Sequence, residues 1–187
     1  MLARTMDAGD RTAPRAAAIV DDGSGRADAL LASVVATQRL RGRRLCGLTM
    51  SYVGGDVNGC AREMRLVDLQ TAREYLVSQP LGSGSRGCRA DPQGFARASE
   101  VLRQAADAAP DLVISNRFGG LEAAGGGFCA ELLELMVRDI PLLTVVSERH
   151  VEAWQRFSGD APLLPAEAAA VDAWLAASLA PATVPSA

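Results

Sequence analysis

Two stretches of the chain set polar groups where a ligand can be met. The first is Asp21-Asp22-Gly23-Ser24-Gly25-Arg26-Ala27-Asp28, directly after a short apolar run. The second is Asn116-Arg117, at the end of Leu112-Val113-Ile114-Ser115, followed by Glu122 and the triplet Gly125-Gly126-Gly127. A glycine-bearing loop that opens a helix leaves backbone N–H groups unengaged, and with the helix dipole these attract an anion. Arginine and asparagine add donors suited to a compact dianion. The expected ligand site is therefore Asp22, Gly23, Ser24, Gly25 and Arg26 with Asn116, Arg117 and Glu122, and Arg89 closing over the top from a Gly-rich loop. Asp21 and Asp22 shape that site or bind a cation.

The loop departs from the full phosphate-binding pattern GxxxxGK[ST]. Arg26 stands where the lysine belongs and Ala27 where the magnesium-binding hydroxyl belongs. Two acidic residues at its entrance disfavour a highly charged triphosphate, and an ordinary strand-to-helix turn has the same composition. A third kind of chemistry rests on thiols. Cys60 and Cys88 both lie in Gly-rich loops and suit a soft metal or a redox latch, although two thiols fall short of the four ligands of a structural zinc site. Cys46 and Cys129 fall in a strand and a helix, where small buried thiols are common. The lone His150 cannot build a histidine-based metal centre.

These residues need a frame. Ala16–Val20 reads as a first strand and Ala27–Arg41 as a helix with Leu30, Leu31, Val34 and Val35 inward. Leu45–Met50 is a second strand, and Met64–Leu69 and Arg73–Ser78 form a hairpin turning at Leu69-Gln70-Thr71-Ala72. Asp91 caps a helix that starts at Pro92 and stops before Pro110. Leu112–Ile114 is a central buried strand whose carboxyl end presents Asn116 and Arg117, and this strand is expected beside the first. A helix opening at Phe128, a strand Pro141–Val146, a short helix capped by Ser147, a brief strand at Leu163-Leu164 and a terminal helix from Pro165 to Ala180 complete the order. The fold class is α/β, a three-layer sandwich around a mostly parallel sheet with an inserted β-hairpin. Residues 1–14 read as a flexible leader, 15–180 as one domain and 181–187 as a tail.

Composition narrows the function. With 187 residues and 49% hydrophobic residues, one domain has ample material for a core. A net charge of −3 argues against a broad nucleic-acid surface. No apolar run approaches the roughly 20 residues that span a bilayer, and the polar first residues lack the apolar stretch of a signal peptide, so a cytoplasmic location is expected. The expected partners are a small anion or a nucleotide, with no nucleic acid and no membrane, and a homo-oligomer is compatible with the sequence. The residues name no cofactor.

Asp21-Asp22-Gly23 with Ala27-Asp28-Ala29-Leu30-Leu31, Gly87-Cys88-Arg89-x-Asp91, Asn116-Arg117-Phe118-Gly119-x-x-Glu122 and Gly125-Gly126-Gly127 together resemble a family of uncharacterised bacterial proteins. That family is catalogued only as a domain of unknown function, and its genes often lie near molybdate-transport genes. The resemblance covers about Ala16 to Trp174, and Asn-Arg-Phe-Gly is its most specific part. The family is in turn distantly similar to small P-loop nucleoside triphosphatases, whose central strand ends in Asp-Glu. Here Asn116 and Arg117 replace that pair, so hydrolysis is expected to be weak or absent. The resemblance implies a binding or regulatory protein for a small oxyanion, molybdate among them, or for a phosphorylated ligand, linked to molybdenum metabolism. A slow nucleoside triphosphatase or nucleotide-dependent regulator using Glu122 stands as one alternative. A thiol-based metal or redox protein using Cys60 and Cys88 stands as another.

Overall fold

The structure is a computed structural model, and it describes residues 15–54, 63–79, 90–159 and 161–179. Seven strands form one sheet in the order β4-β3-β2-β5-β6-β1-β7. Five of them, β1 (Ala16–Asp21), β2 (Leu45–Val53), β5 (Leu112–Phe118), β6 (Leu142–Ser147) and β7 (Leu163–Leu164), run parallel. The antiparallel strands β3 (Glu63–Asp68) and β4 (Glu74–Leu76) extend the sheet beyond β2. This is the expected three-layer frame of the P-loop nucleoside triphosphatase kind, with the hairpin at one edge.

The alternation of side chains along the strands divides the core in two. Ala17, Ile19, Leu112, Ile114, Leu143 and Val145 face α1 (Arg26–Leu40) and α6 (Ala168–Ser178) through Leu31, Val34, Val171 and Leu175. Ala16, Ala18, Val113, Leu142 and Val146 face α2 (Pro92–Ala108), α4 (Cys129–Val137) and α5 (Val151–Ser158) through Leu102, Leu132 and Trp154. Strands covered on both faces read as unbroken apolar runs, which is why LVI and LLTVV carry no alternation.

One expectation fails. The first and central strands are not neighbours, because β6 lies between them, paired to β1 from Ala16↔Leu142 onward and to β5 from Val113↔Leu142 onward. Leu142 to Val146 are all fully buried. A strand this apolar has to be flanked on both edges as well as both faces, and it takes the interior place. Two smaller differences concern the exits of β5 and β6. A single helical turn, α3 (Gly120–Ala123), precedes α4, and Ser147 leads into a 3₁₀ turn at Glu148–His150 before α5.

Gly47 shows how tightly β2 meets the central strand. Its φ is 108°, and a Cβ placed there would lie 2.0 Å from the carbonyl oxygen of Ile114. Only glycine fits. Beneath the exit of β5, Phe118 packs edge-on against Trp154 with ring centroids 5.4 Å apart, and Phe157 lies at 5.3 Å. This aromatic cluster anchors the chain just after Asn116 and Arg117.

Candidate functional site

β1 delivers Asp21 to the carboxyl edge of the sheet, and the loop that follows folds on its own side chains. The Asp21 carboxylate accepts from the N–H of Gly23 at 3.0 Å, and Asp22 accepts from the N–H of Ser24 at 2.9 Å. Such side-chain-to-backbone turns are what Asp offers at the start of a loop. Gly25, at φ 81°, is the residue before α1, and α1 has no side-chain cap. Among the described residues, no acceptor meets the N–H groups of Gly25, Ala27 or Asp28. Arg26 folds back instead, giving Nη2 to Asp22 at 2.7 Å and Nε to the Ser24 hydroxyl at 3.1 Å. Its side chain is 68% exposed. The bonds from Ser24, with Arg26 beside them, hold the Asp22 carboxyl well below the usual carboxylate range.

Arg117 reaches across the intervening strand. Its Nη1 donates to Asp21 at 2.7 Å, and its Nη2 donates to both oxygens of Asp28 at 2.8 and 3.0 Å. The bond from Arg117 lowers the pKa of Asp21. Burial works against the charge on Arg117, but its bond to Asp21 and the attraction of Asp28 more than offset it, and its pKa is raised. The two loops therefore meet as expected, although their strands do not. The cluster holds three carboxylates, Asp21, Asp22 and Asp28, against two guanidinium groups, Arg26 and Arg117. Both arginines already hold carboxylates through their terminal nitrogens, which corrects the simplest form of the expected cradle, and the buried Nε of Arg117 meets no acceptor among the described residues. Sequence reasoning misses Asp28. Its signal was its place in the first turn of α1, where an acid already suits the dipole.

Asn116 goes elsewhere. The register of β5 on β6 shifts between Ser115↔Thr144 and Phe118↔Val146, so three steps of one strand oppose two of the other. A bulge of this kind re-aims side chains at a sheet's edge. Here it coincides with Asn116 entering the wall of a cavity of ≈ 460 Å³ on the α2/α4 side, lined also by Met50, Met64, Phe95, Glu122 and Phe128. Asn116 is 6% exposed, and its Nδ2 meets no acceptor among the described residues.

Glu122, 5% exposed, is a tie within the turn from β5 to α4. One carboxylate oxygen accepts from the N–H of Gly119 at 3.0 Å and the other from the N–H of Phe128 at 3.1 Å. The Cys129 thiol donates to its carbonyl at 3.2 Å, and burial pushes that thiol's pKa up. The last glycine of the triplet is explained here. At Gly127, with φ 56°, a Cβ would sit 2.0 Å from Glu122 Oε1. His150 bonds Ser147 through Nδ1 at 3.1 Å, and burial lowers its pKa. Arg89, Cys60 and Cys88 lie outside the described residues, and with them the loop closure and the thiol site. Among the described residues no group of three or more His, Cys, Asp and Glu is placed to hold a metal ion, and no helix is long and apolar enough to cross a membrane.

No solved structure matches the chain significantly. The molybdenum import ATP-binding protein ModC 2 of Bradyrhizobium diazoefficiens is 37% identical over 161 residues, which cover 86% of this chain. The match spans 18% of that relative's own length. Residues 16–174 match the model of a family described as a protein of unknown function, DUF2478. With Asn116-Arg117-Phe118-Gly119 at the tip of its central strand and a lysine-free first loop, the chain belongs to this family.

Proposed function

We propose that the chain is a non-hydrolysing, cytoplasmic ligand-binding module of molybdenum metabolism. It holds a small oxyanion, molybdate among them, or the phosphate of a phosphorylated ligand, at the first turn of α1. The observation that carries this reading is the uncapped start of that helix, where the N–H groups of Gly25, Ala27 and Asp28 meet no acceptor among the described residues and Arg26 stands exposed beside them. The relative's name, a molybdenum import ATP-binding protein, supplies the metabolic setting.

The binding step is an exchange of partners. An entering dianion draws the Arg26 guanidinium away from Asp22, an exposed ion pair of the kind worth little in water. It then meets the first-turn N–H groups, where the dipole favours negative charge. Arg117 does not grip the anion. It neutralises Asp21 and Asp28, and without it their two carboxylates would repel any anion at this edge. Hydrolysis lacks its parts: Arg26, Ala27 and Asn116-Arg117 stand where the lysine, the hydroxyl and the Asp-Glu pair belong, and both oxygens of Glu122 already accept from backbone.

Calorimetric titration of wild type and Arg26→Ala with molybdate, sulfate, phosphate and ATP tests the reading. One of these binds the wild type, and Arg26→Ala weakens it by about tenfold to a hundredfold, the loss of one charge-assisted donor. No binding to the wild type, or binding unchanged by the substitution, overturns it. An ATP response without an oxyanion response favours the nucleotide-dependent regulator over the oxyanion module.

A further inference from the structure

The cavity on the α2/α4 side has a chemistry of its own. Its wall is mostly apolar, with Met50 from β2, Met64 and Leu66 from β3, Phe95 from α2, and Phe128 at the start of α4. Phe95 and Phe128 pack with centroids 5.2 Å apart and planes at 44°. Methionines adapt their shape to a guest, and their sulfur atoms make favourable contacts with aromatic rings. At ≈ 460 Å³ the space lies within the range of small-molecule pockets. Asn116 is packed into this wall, and its Nδ2 is closed to a guest.

Three charged side chains border the cavity, Arg117, Glu122 and Arg149. Two of them already have partners. The terminal nitrogens of Arg117 hold Asp21 and Asp28. Glu122 is buried and accepts from a backbone N–H with each oxygen. Arg149 differs. It stands exposed on the 3₁₀ turn after β6, and among the described residues no acceptor meets its guanidinium. A guanidinium presents a planar fork of donors that matches a carboxylate, and it is more weakly hydrated than an ammonium, which suits a place beside an apolar wall. The cavity thus sets an apolar interior against an exposed positive charge at its border.

We propose that this cavity binds an aromatic monocarboxylate, its ring packed by Met50, Met64, Phe95 and Phe128 and its carboxylate held by Arg149. A single negative charge is what one arginine offsets. A dianion would carry a surplus charge against Glu122 in the same wall and against Asp21 and Asp28 behind Arg117. The site lies on the α2/α4 face, whereas α1, which opens at the oxyanion site, packs on the other face. The two proposals stand or fall separately.

The probes are 2-naphthoate and 2-naphthamide, which share one ring system and differ in charge. Binding is read by calorimetry and by carbon-edited NMR of the methionine methyl groups in the full chain. 2-Naphthoate binds the wild type more tightly than 2-naphthamide does and shifts the methyl resonances of Met50 and Met64. Arg149→Met keeps an apolar stem, removes the charge and weakens 2-naphthoate about fivefold to tenfold, the loss of one charge-assisted pair open to solvent, while leaving 2-naphthamide unchanged. Arg26→Ala leaves 2-naphthoate binding unaltered, so a failure here is distinct from a failure at the start of α1. The wild-type comparison of acid with amide decides the matter even if Arg149→Met folds poorly. Absence of 2-naphthoate binding, equal binding of acid and amide, binding that leaves both methyl resonances unmoved, or 2-naphthoate binding unchanged in a folded Arg149→Met overturns the proposal.

Discussion

Gly127→Ala tests how the strand-tip turn is built. The new Cβ would lie 2.0 Å from Oε1 and 2.7 Å from Cδ of Glu122, and 3.1 Å from the Leu121 Cβ. A clash with the end of a flexible acid is normally relieved by moving the acid. Here the acid is 5% exposed and ties two backbone N–H groups. Moving it breaks at least the bond to Phe128, about 1.5–3 kcal/mol for a hydrogen bond to a charged group. The left-handed backbone at φ 56° adds about 1–2 kcal/mol for a residue with a side chain. The substitution therefore costs about 2.5–5 kcal/mol, which for a chain of this size lowers Tm by on the order of 10 °C. The decisive assay is a double-mutant cycle by urea denaturation with Glu122→Ala. Once the carboxylate is gone, only the backbone term remains, so Gly127→Ala costs about 1–2 kcal/mol in that background. Equal costs in both backgrounds would refute the steric argument and leave Glu122 without its role in the turn.

Further outcomes follow from the same contacts. Gly47→Ala, whose Cβ would meet the Ile114 carbonyl at 2.0 Å, is expected to prevent accumulation of folded protein, read as loss of a cooperative melting transition. Arg117→Gln should change the acid limb of stability. Asp21's pKa is lowered in the fold by Arg117, so it stabilises the protein above the ordinary aspartate pKa, and this contribution is lost as pH falls through the depressed value. Without Arg117 the stability curve is lower near neutrality and flatter below about pH 4, as acid titration followed by circular dichroism will show. Purified protein should release no phosphate from ATP or GTP above background with Mg²⁺, and release abolished by Glu122→Ala would restore an enzymatic reading.

Much of this was legible in local pattern. The runs AAAIV, LVIS and LLTVV announce strands covered on both faces, and Asp91-Pro92 announces its helix, with Asp91 accepting from the N–H of Gln93 at 3.1 Å. Asn116 and Arg117 were legible as unusual because apolar strands rarely end in such a pair. Their destinations were not. Adjacent residues on a strand separate to opposite faces, and a bulge decides which goes where. No local signal reports that bulge, or that β6 enters between β5 and β1. Asp28 was hidden because an acid in a helix's first turn already has a local explanation. Glu122 reads in the sequence as an acid of the ligand site, and only its two backbone donors show a tie.

The position of β1 has a consequence for how the protein is made. Among the described residues its strand partners are β6, residues 142–147, and β7, residues 163–164. Every pairing that holds the first strand therefore closes a span of more than a hundred residues. During synthesis, AAAIV and the loop after it emerge well before β6 and β7 and must wait for more than a hundred further residues before they are paired. Closing long spans is slow, and waiting apolar strands invite wrong pairings. The contact between Arg117 and Asp21 can be made earlier in sequence, but it is held in place only when β6 slides between their strands. The acidic loop at the tip of β1 keeps a waiting apolar segment charged, and so guards it against aggregation until its neighbours arrive.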